Sequence, residues 1–388
     1  PIFTPVSPSE VKGIGQSTPR EIIETVVIPD LTEAKNKLPY KEQMVSASGS
    51  SISSEGRADK MAAEAMLARV YMTLAGSPYN DSNAKSLAKT QLENILNYSV
   101  ANGDKYWAPT LDEWRKQWMP STDYYNKYSI FAIQHRTNEN RNYLIFNFSP
   151  GLPPSYTSRR IFGNSIWVEK TLEYEFERTF SNGKKDGRGI GFTILEGYEE
   201  EPNYPAYTND RENVILEDGT TVEVYTKTMF YKYLPSKPKL AELGMSFDES
   251  SMAGDYDWPV NFPILRLEDM MLLYAELLAD EGNVVEAMYY VNKIRERAGC
   301  DPETASTSAD ALRLIKRERR VELAGEGIRW FDLVRYGEWQ SAITRMFDNY
   351  NNPDGTDKSE LKNGRYLYPI PLDQMNAVPG LYSQNEGY

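Results

Sequence analysis

Apolar residues recur at helical spacing near both ends of the chain and lose that period in the middle. From Pro19 to Leu38, the positions Ile22, Ile23, Val26, Val27, Leu31, Ala34 and Leu38 predict a helix with Ser17 and Thr18 available as caps, which Pro29 is expected to kink or break. Val45 to Glu55 (VSASGSSISSE) is small and polar without a period and reads as a loop. Ala58 to Gly76 is apolar on nearly every face, as in a helix packed on several sides, and Asn80 to Asn97 carries one stripe from Ala84 to Leu96. These two stretches predict a helix pair. A second pair is predicted where Leu267, Met270, Met271, Tyr274, Leu277 and Leu278 make one stripe and Val284, Ala287, Met288, Val291 and Ile294 the other, with Gly282 and Asn283 turning between them. Tyr274, Ala275, Gly282 and Ala287 follow the tetratricopeptide habit of small residues where helices approach closely. Further helices are expected over Asp310–Leu323 and Arg329–Tyr336.

Between the pairs, Tyr98 to Pro263 is rich in Gly, Pro, Asn and Tyr. Its strand-like runs are short (Ser129–Gln134, Tyr143–Phe148, Val222–Met229), and turn signals such as Asn182-Gly183 and Asp218-Gly219 recur. The expected architecture is mainly α: a tetratricopeptide-like helical scaffold carrying a loop-rich insertion with short strands. It is read as a single domain over 1–388, with an N-terminal helical part (1–98), an insertion bearing the ligand face (99–263) and a C-terminal helical part (264–388).

A net charge of −13 offers no basic field for nucleic acid. Cys300 is the only cysteine, so no internal disulfide or two-cysteine metal site can form. His135 is the only histidine and, in the run SIFAIQH, reads as a strand cap. No run reaches the ~18 apolar residues that span a bilayer. No metal and no cofactor is expected: acidic residues are plentiful, but no D-x-D-x-D loop for calcium is visible. GKKDGRGIG, from Gly183 to Gly191, lacks the strand and helix of a phosphate-binding turn, and no Gly-x-Ser-x-Gly elbow occurs.

The densest constellation is Glu318, Arg320, Glu322, Glu326, Arg329, Asp332 and Arg335, alternating with apolar positions near the C-terminal end. Two carboxylates at helical spacing invite comparison with glycoside hydrolysis, but interleaved arginines hold carboxylates ionised instead of raising one pKa. The cluster is therefore expected to be a structural ion-pair network. With 27 Tyr and 7 Trp, the chain is rich in flat faces that can stack on sugar rings beside amide, carboxylate or guanidinium groups. The ligand-binding positions expected on this ground are Trp107, Tyr125, Tyr156, Trp167 and Trp258. Trp114 and Trp118 are read as core.

The run RRVELAGEGIRWFDLVRYG, the preceding RERAGC, the LYPIP of 367–371 and the terminal SQNEGY resemble signatures of the SusD/RagB family, with Glu386 where proline is usual. Weaker similarity covers Asp30–Pro39, Gly56–Tyr71 and Asp186-Gly187-Arg188. The resemblance implies a non-catalytic, cell-surface protein that binds oligosaccharide or polysaccharide for uptake through a partner TonB-dependent, SusC-like transporter. It further implies a place on the extracellular face of a Bacteroidetes outer membrane. PIFTPVSPSE looks like the family's FGDVPL junction already under way, from which a lipid-bearing N-terminal part is expected upstream of this sequence. Capture of peptide or another nutrient by the same kind of lid protein, or a glycoside hydrolase, are the alternatives.

Overall fold

The computed structural model describes residues 15–53, 56–120, 127–139, 142, 151–159, 166–204, 206–207, 209–349, 365–377 and 379–388, without the side chains of 347–349. The first helical stretch comprises α1 (Pro19–Ile22), a π-helical turn (Ile23–Val27) and α2 (Ile28–Lys37), capped by Thr18, whose hydroxyl accepts from the Glu21 amide at 3.1 Å. Pro29 does not break it. A proline ring displaces the carbonyl four residues back, and the wider π turn, in which the Ile28 amide reaches the Ile23 carbonyl, absorbs the misfit and lets the helix continue.

The first pair is α3 (Lys60–Ala75) and α4 (Ser82–Ala101). Asp59 and Asp81 cap them, accepting from Ala62 N at 2.8 Å and Asn83 N at 3.0 Å. The inserted region contains α5 (Leu111–Lys116), β1 (Ser129–Ile133), α6 (Lys170–Glu177), β2 (Ile194–Leu195), β3 (Arg211–Ile215), β4 (Thr221–Tyr225), β5 (Met229–Phe230) and α7 (Lys237–Glu242). β6 (Phe262–Arg266) then leads into α8 (Leu267–Asp280) and α9 (Val284–Arg297), followed by α10 (Ser308–Glu322), α11 (Arg329–Tyr336), α12 (Trp339–Asn349) and α13 (Leu372–Ala377). Each strand pairs antiparallel with one partner: β1 with β6, β2 with β5, and β3 with β4 across the turn at Asp218-Gly219, where Gly219 takes φ +84°. The expected run Tyr143–Phe148 lies outside the described residues.

One apolar core joins α3 and α4 to α8, α9 and α10, through residues such as Met61, Leu67, Leu92, Met270, Leu272, Ile294 and Ile315. Helices far apart in sequence therefore stack as consecutive repeat units, each burying its stripe on the next. The insertion has its own core around Trp114, Trp118, Phe192, Tyr231 and Trp258. A small third cluster of Val168, Leu172, Phe176, Ile194, Val321 and Ala324 fastens α6 and β2 to the end of α10. Among the described residues no helix is long and apolar enough to cross a membrane.

Candidate functional site

The C-terminal charges separate into two settings. On the inner side, Arg188 is fully buried and binds Asp186 (2.6 and 3.0 Å), Glu318 (2.6 Å) and Glu322 (2.7 Å). Arg266 forks onto Glu326 (both contacts 2.8 Å) and reaches Glu322 at 3.0 Å, while Arg297 bridges Glu268 (2.5 Å) and Glu322 (2.8 Å). Arg319 joins Asp332 to Asp269, and Arg335 joins Asp332 to Glu276. Burial alone would raise the Glu322 carboxyl, but Arg297, Arg266 and Arg188 hold it far below the ordinary range. Such a carboxylate stays ionised and cannot act as a general acid. The tryptophans of the insertion line this network: Trp114 donates to Glu322 at 3.0 Å, and Lys232 lies 4.2 Å from the Trp118 ring centre.

Arg320 and Arg329 stand outside that network. Arg320 turns outward to Glu169 and the Thr171 hydroxyl, at the start of α6. Arg329, half-buried at the start of α11, has no hydrogen bond or ion pair to another described residue. Burial and the neighbouring Arg320 charge lower its pKa. Both arginines line a cavity of about 350 Å³ whose walls include Trp167, Trp330, Phe230 and Leu333. A size of a few hundred Å³, apolar walls and a few convergent polar groups are what a small-ligand pocket requires.

From this cavity a series of half-buried rings leads away over the insertion. Trp167 stacks on Tyr207 (centroids 6.3 Å, planes 5° apart), Tyr207 lies 5.8 Å from Tyr198, and Tyr198 lies 6.2 Å from Tyr156. Isolated bridges hold the series in place, with Trp167 opposite Met229 and Tyr198 opposite Tyr207. Tyr156 and Trp167 thus lie at the two ends of one aromatic track.

The other expected ligand positions fall elsewhere. Trp258 is fully buried against Phe247, its indole donating to the Asp255 carbonyl at 3.1 Å, so it offers no face to a ligand. Trp107 is 8% exposed, lies beneath Arg297 (4.4 Å) and Lys293 (5.0 Å), and with Tyr128 lines a separate cleft beside Asp104 and Lys127. Tyr125 lies outside the described residues. Tyr198, Tyr207 and Trp330 were not anticipated as site residues, and Arg329 was expected in the ion-pair network, where no described residue pairs with it. No sequence signal pointed to this for Arg329, since Glu326 and Asp332 lie three residues to either side; in the structure Asp332 is taken by Arg319 and Arg335, and Glu326 by Arg266 and Lys232.

One acidic group also went unanticipated. Glu173, Glu177 and Glu196 lie close enough to share an ion or a proton. Burial, then the charges of Glu177 and Glu196, push the fully buried Glu173 up to about 8. Arg211 (2.7 Å) and Lys185 (3.3 Å) already neutralise Glu177, which suits a shared proton better than a divalent cation.

Stacked helix pairs carrying an aromatic track and an open cavity define a tetratricopeptide-like binding scaffold. The chain belongs to the SusD family, whose sequence profile matches residues 96–388. It is 26% identical over 339 residues to SusD-like protein P38 of Formosa agariphila, an alignment covering 82% of this chain and 58% of that protein. The chain thus spans a little over half the length of this relative. Among solved structures it superposes on a SusD homolog from Bacteroides thetaiotaomicron (TM-score 0.69, 18% identity, 95% of this chain and 70% of that one). It also superposes on a laminarin-binding SusD-like protein (TM-score 0.64, 22% identity, 100% and 73%). A third match is the surface glycan-binding protein A of B. thetaiotaomicron in complex with laminarihexaose (TM-score 0.64, 20% identity, 96% and 72%).

Proposed function

We propose that this chain captures oligosaccharide or polysaccharide at a cell surface without chemical conversion, and passes it to a partner TonB-dependent transporter of the SusC type. The observation that carries the glycan reading is the track Tyr156–Tyr198–Tyr207–Trp167 opening into the cavity of Trp330 and Arg329. Rings in series suit the successive C–H faces of a saccharide chain, and guanidinium and carboxylate groups at the end suit its polar substituents. The laminarin and laminarihexaose ligands of two structural neighbours agree with this class of ligand. The absence of a catalytic step follows from the same residues: the carboxylates nearest the C-terminal arginines are held ionised as structural anions. The place on the outer face of the outer membrane, the lipid anchor and the transporter rest on family membership.

The test is affinity electrophoresis of the purified chain in gels containing plant, algal, host and microbial polysaccharides, with reducing ends assayed in parallel. Retardation by at least one glycan class without new reducing ends is expected. Retardation by none would return the reading to peptide capture, and cleavage would make the protein a hydrolase.

A further inference from the structure

The cavity has an electrostatic imbalance that stacking does not explain. Of the charged groups on its walls, Arg319 is matched by Asp332 and Arg320 by Glu169. Arg345 reaches only the exposed Glu217, at 3.6 Å, and Arg329 reaches no partner among the described residues. The two carboxylates three residues away in sequence are already engaged, Asp332 by Arg319 and Arg335 and Glu326 by Arg266 and Lys232. A protein of net charge −13 therefore keeps excess positive charge inside a partly desolvated, apolar-walled hollow. Like charges held together away from water are unfavourable unless an anion joins them, and guanidinium groups match the planar or tetrahedral oxygens of carboxylate and sulfate.

Resting on the glycan reading above, we infer that this cavity receives an oxyanion-bearing sugar unit, a uronate carboxylate or a sulfate ester, bound by Arg329 with Arg320 and Arg345 beside it and with Trp167 and Trp330 against the ring. The aromatic track then carries the neighbouring sugars of the same chain.

Two matched polymer pairs test this in affinity gels: polygalacturonate against its methyl ester, which masks the carboxylate, and dextran sulfate against dextran. Preferential retention of the charged member of at least one pair is expected, and the pair that discriminates identifies the oxyanion. Arg329→Gln should weaken that retention about tenfold or more, as for loss of a hydrogen bond to a charged group, while leaving the thermal midpoint of the protein unchanged. Arg329→Lys should restore part of it. Equal retention of the charged and neutral members would overturn the inference and leave the glycan reading standing. A charged preference that survives Arg329→Gln would overturn the assignment to this cavity. Retention of neither pair would count against the oxyanion, with the glycan reading then decided by the broader panel.

Discussion

Arg319 and Arg320 are neighbours in sequence, about 100° apart around α10, and have different partners. Arg319 points inward, is 2% exposed and is gripped by Asp332 and Asp269. Arg320 points to the rim of a cavity and holds Glu169 across a half-exposed gap. Both side chains border the cavity, but Arg319 is locked into the buried network while Arg320 reaches only Glu169 and the Thr171 hydroxyl. Charged residues in one motif do not share one role. The inner network pairs each of its arginines with at least two carboxylates and is suited to fixing the geometry of the repeat stack, whereas Arg329 at the cavity has no partner among the described residues.

Removing a member of the closed network should have the largest effect. Glu322→Ala leaves Arg188, Arg266 and Arg297 without a shared anion, and the expected loss is about 3–5 kcal/mol in urea unfolding, a large fraction of a typical domain's stability. A mutant that melts like the parent would show that the network is dispensable. The acidic group on α6 gives a second, smaller effect with a definite sign. Because the folded-state pKa of Glu173 is raised to about 8, the folded protein binds the extra proton, so this group's contribution to stability falls as pH rises from about 4.5 to 8. Glu173→Gln should remove that slope in thermal midpoints measured across the window. In the cavity wall, Trp167→Ala should reduce glycan affinity about two- to tenfold, the worth of one stacking contact, without destabilising the repeat core. Smallest of all, Arg320→Ala should change stability by less than about 1 kcal/mol, because its pair is partly exposed. The corresponding Arg319→Ala should cost several-fold more, and equal costs would erase the contrast between the two arginines.

The helix pairs were legible because their apolar positions repeat every third or fourth residue and Gly282, at φ +88°, marks the turn within the second pair. The π turn before Pro29 was not, since proline alone does not say whether a helix stops or widens. In the insertion, burial comes from long-range packing. Trp258 beside Asp257 has the local look of an exposed platform, yet Phe247 and the loop carbonyl of Asp255 enclose it. Trp167 was recognisable as an aromatic beside polar neighbours. Its partners Tyr198, Tyr207 and Trp330 come from separate segments, and no local pattern announces their meeting.

The most direct test of the central claim, that the aromatic track and its cavity are where glycan binds, is oxidative footprinting with the polysaccharide that retards the protein most. Protection of Tyr156, Tyr198, Tyr207, Trp167 and Trp330, with Trp107 and Tyr128 unchanged, is the expected result. Protection at Trp107 and Tyr128 with the track left open would contradict the account and move the site to the cleft beside Asp104 and Lys127.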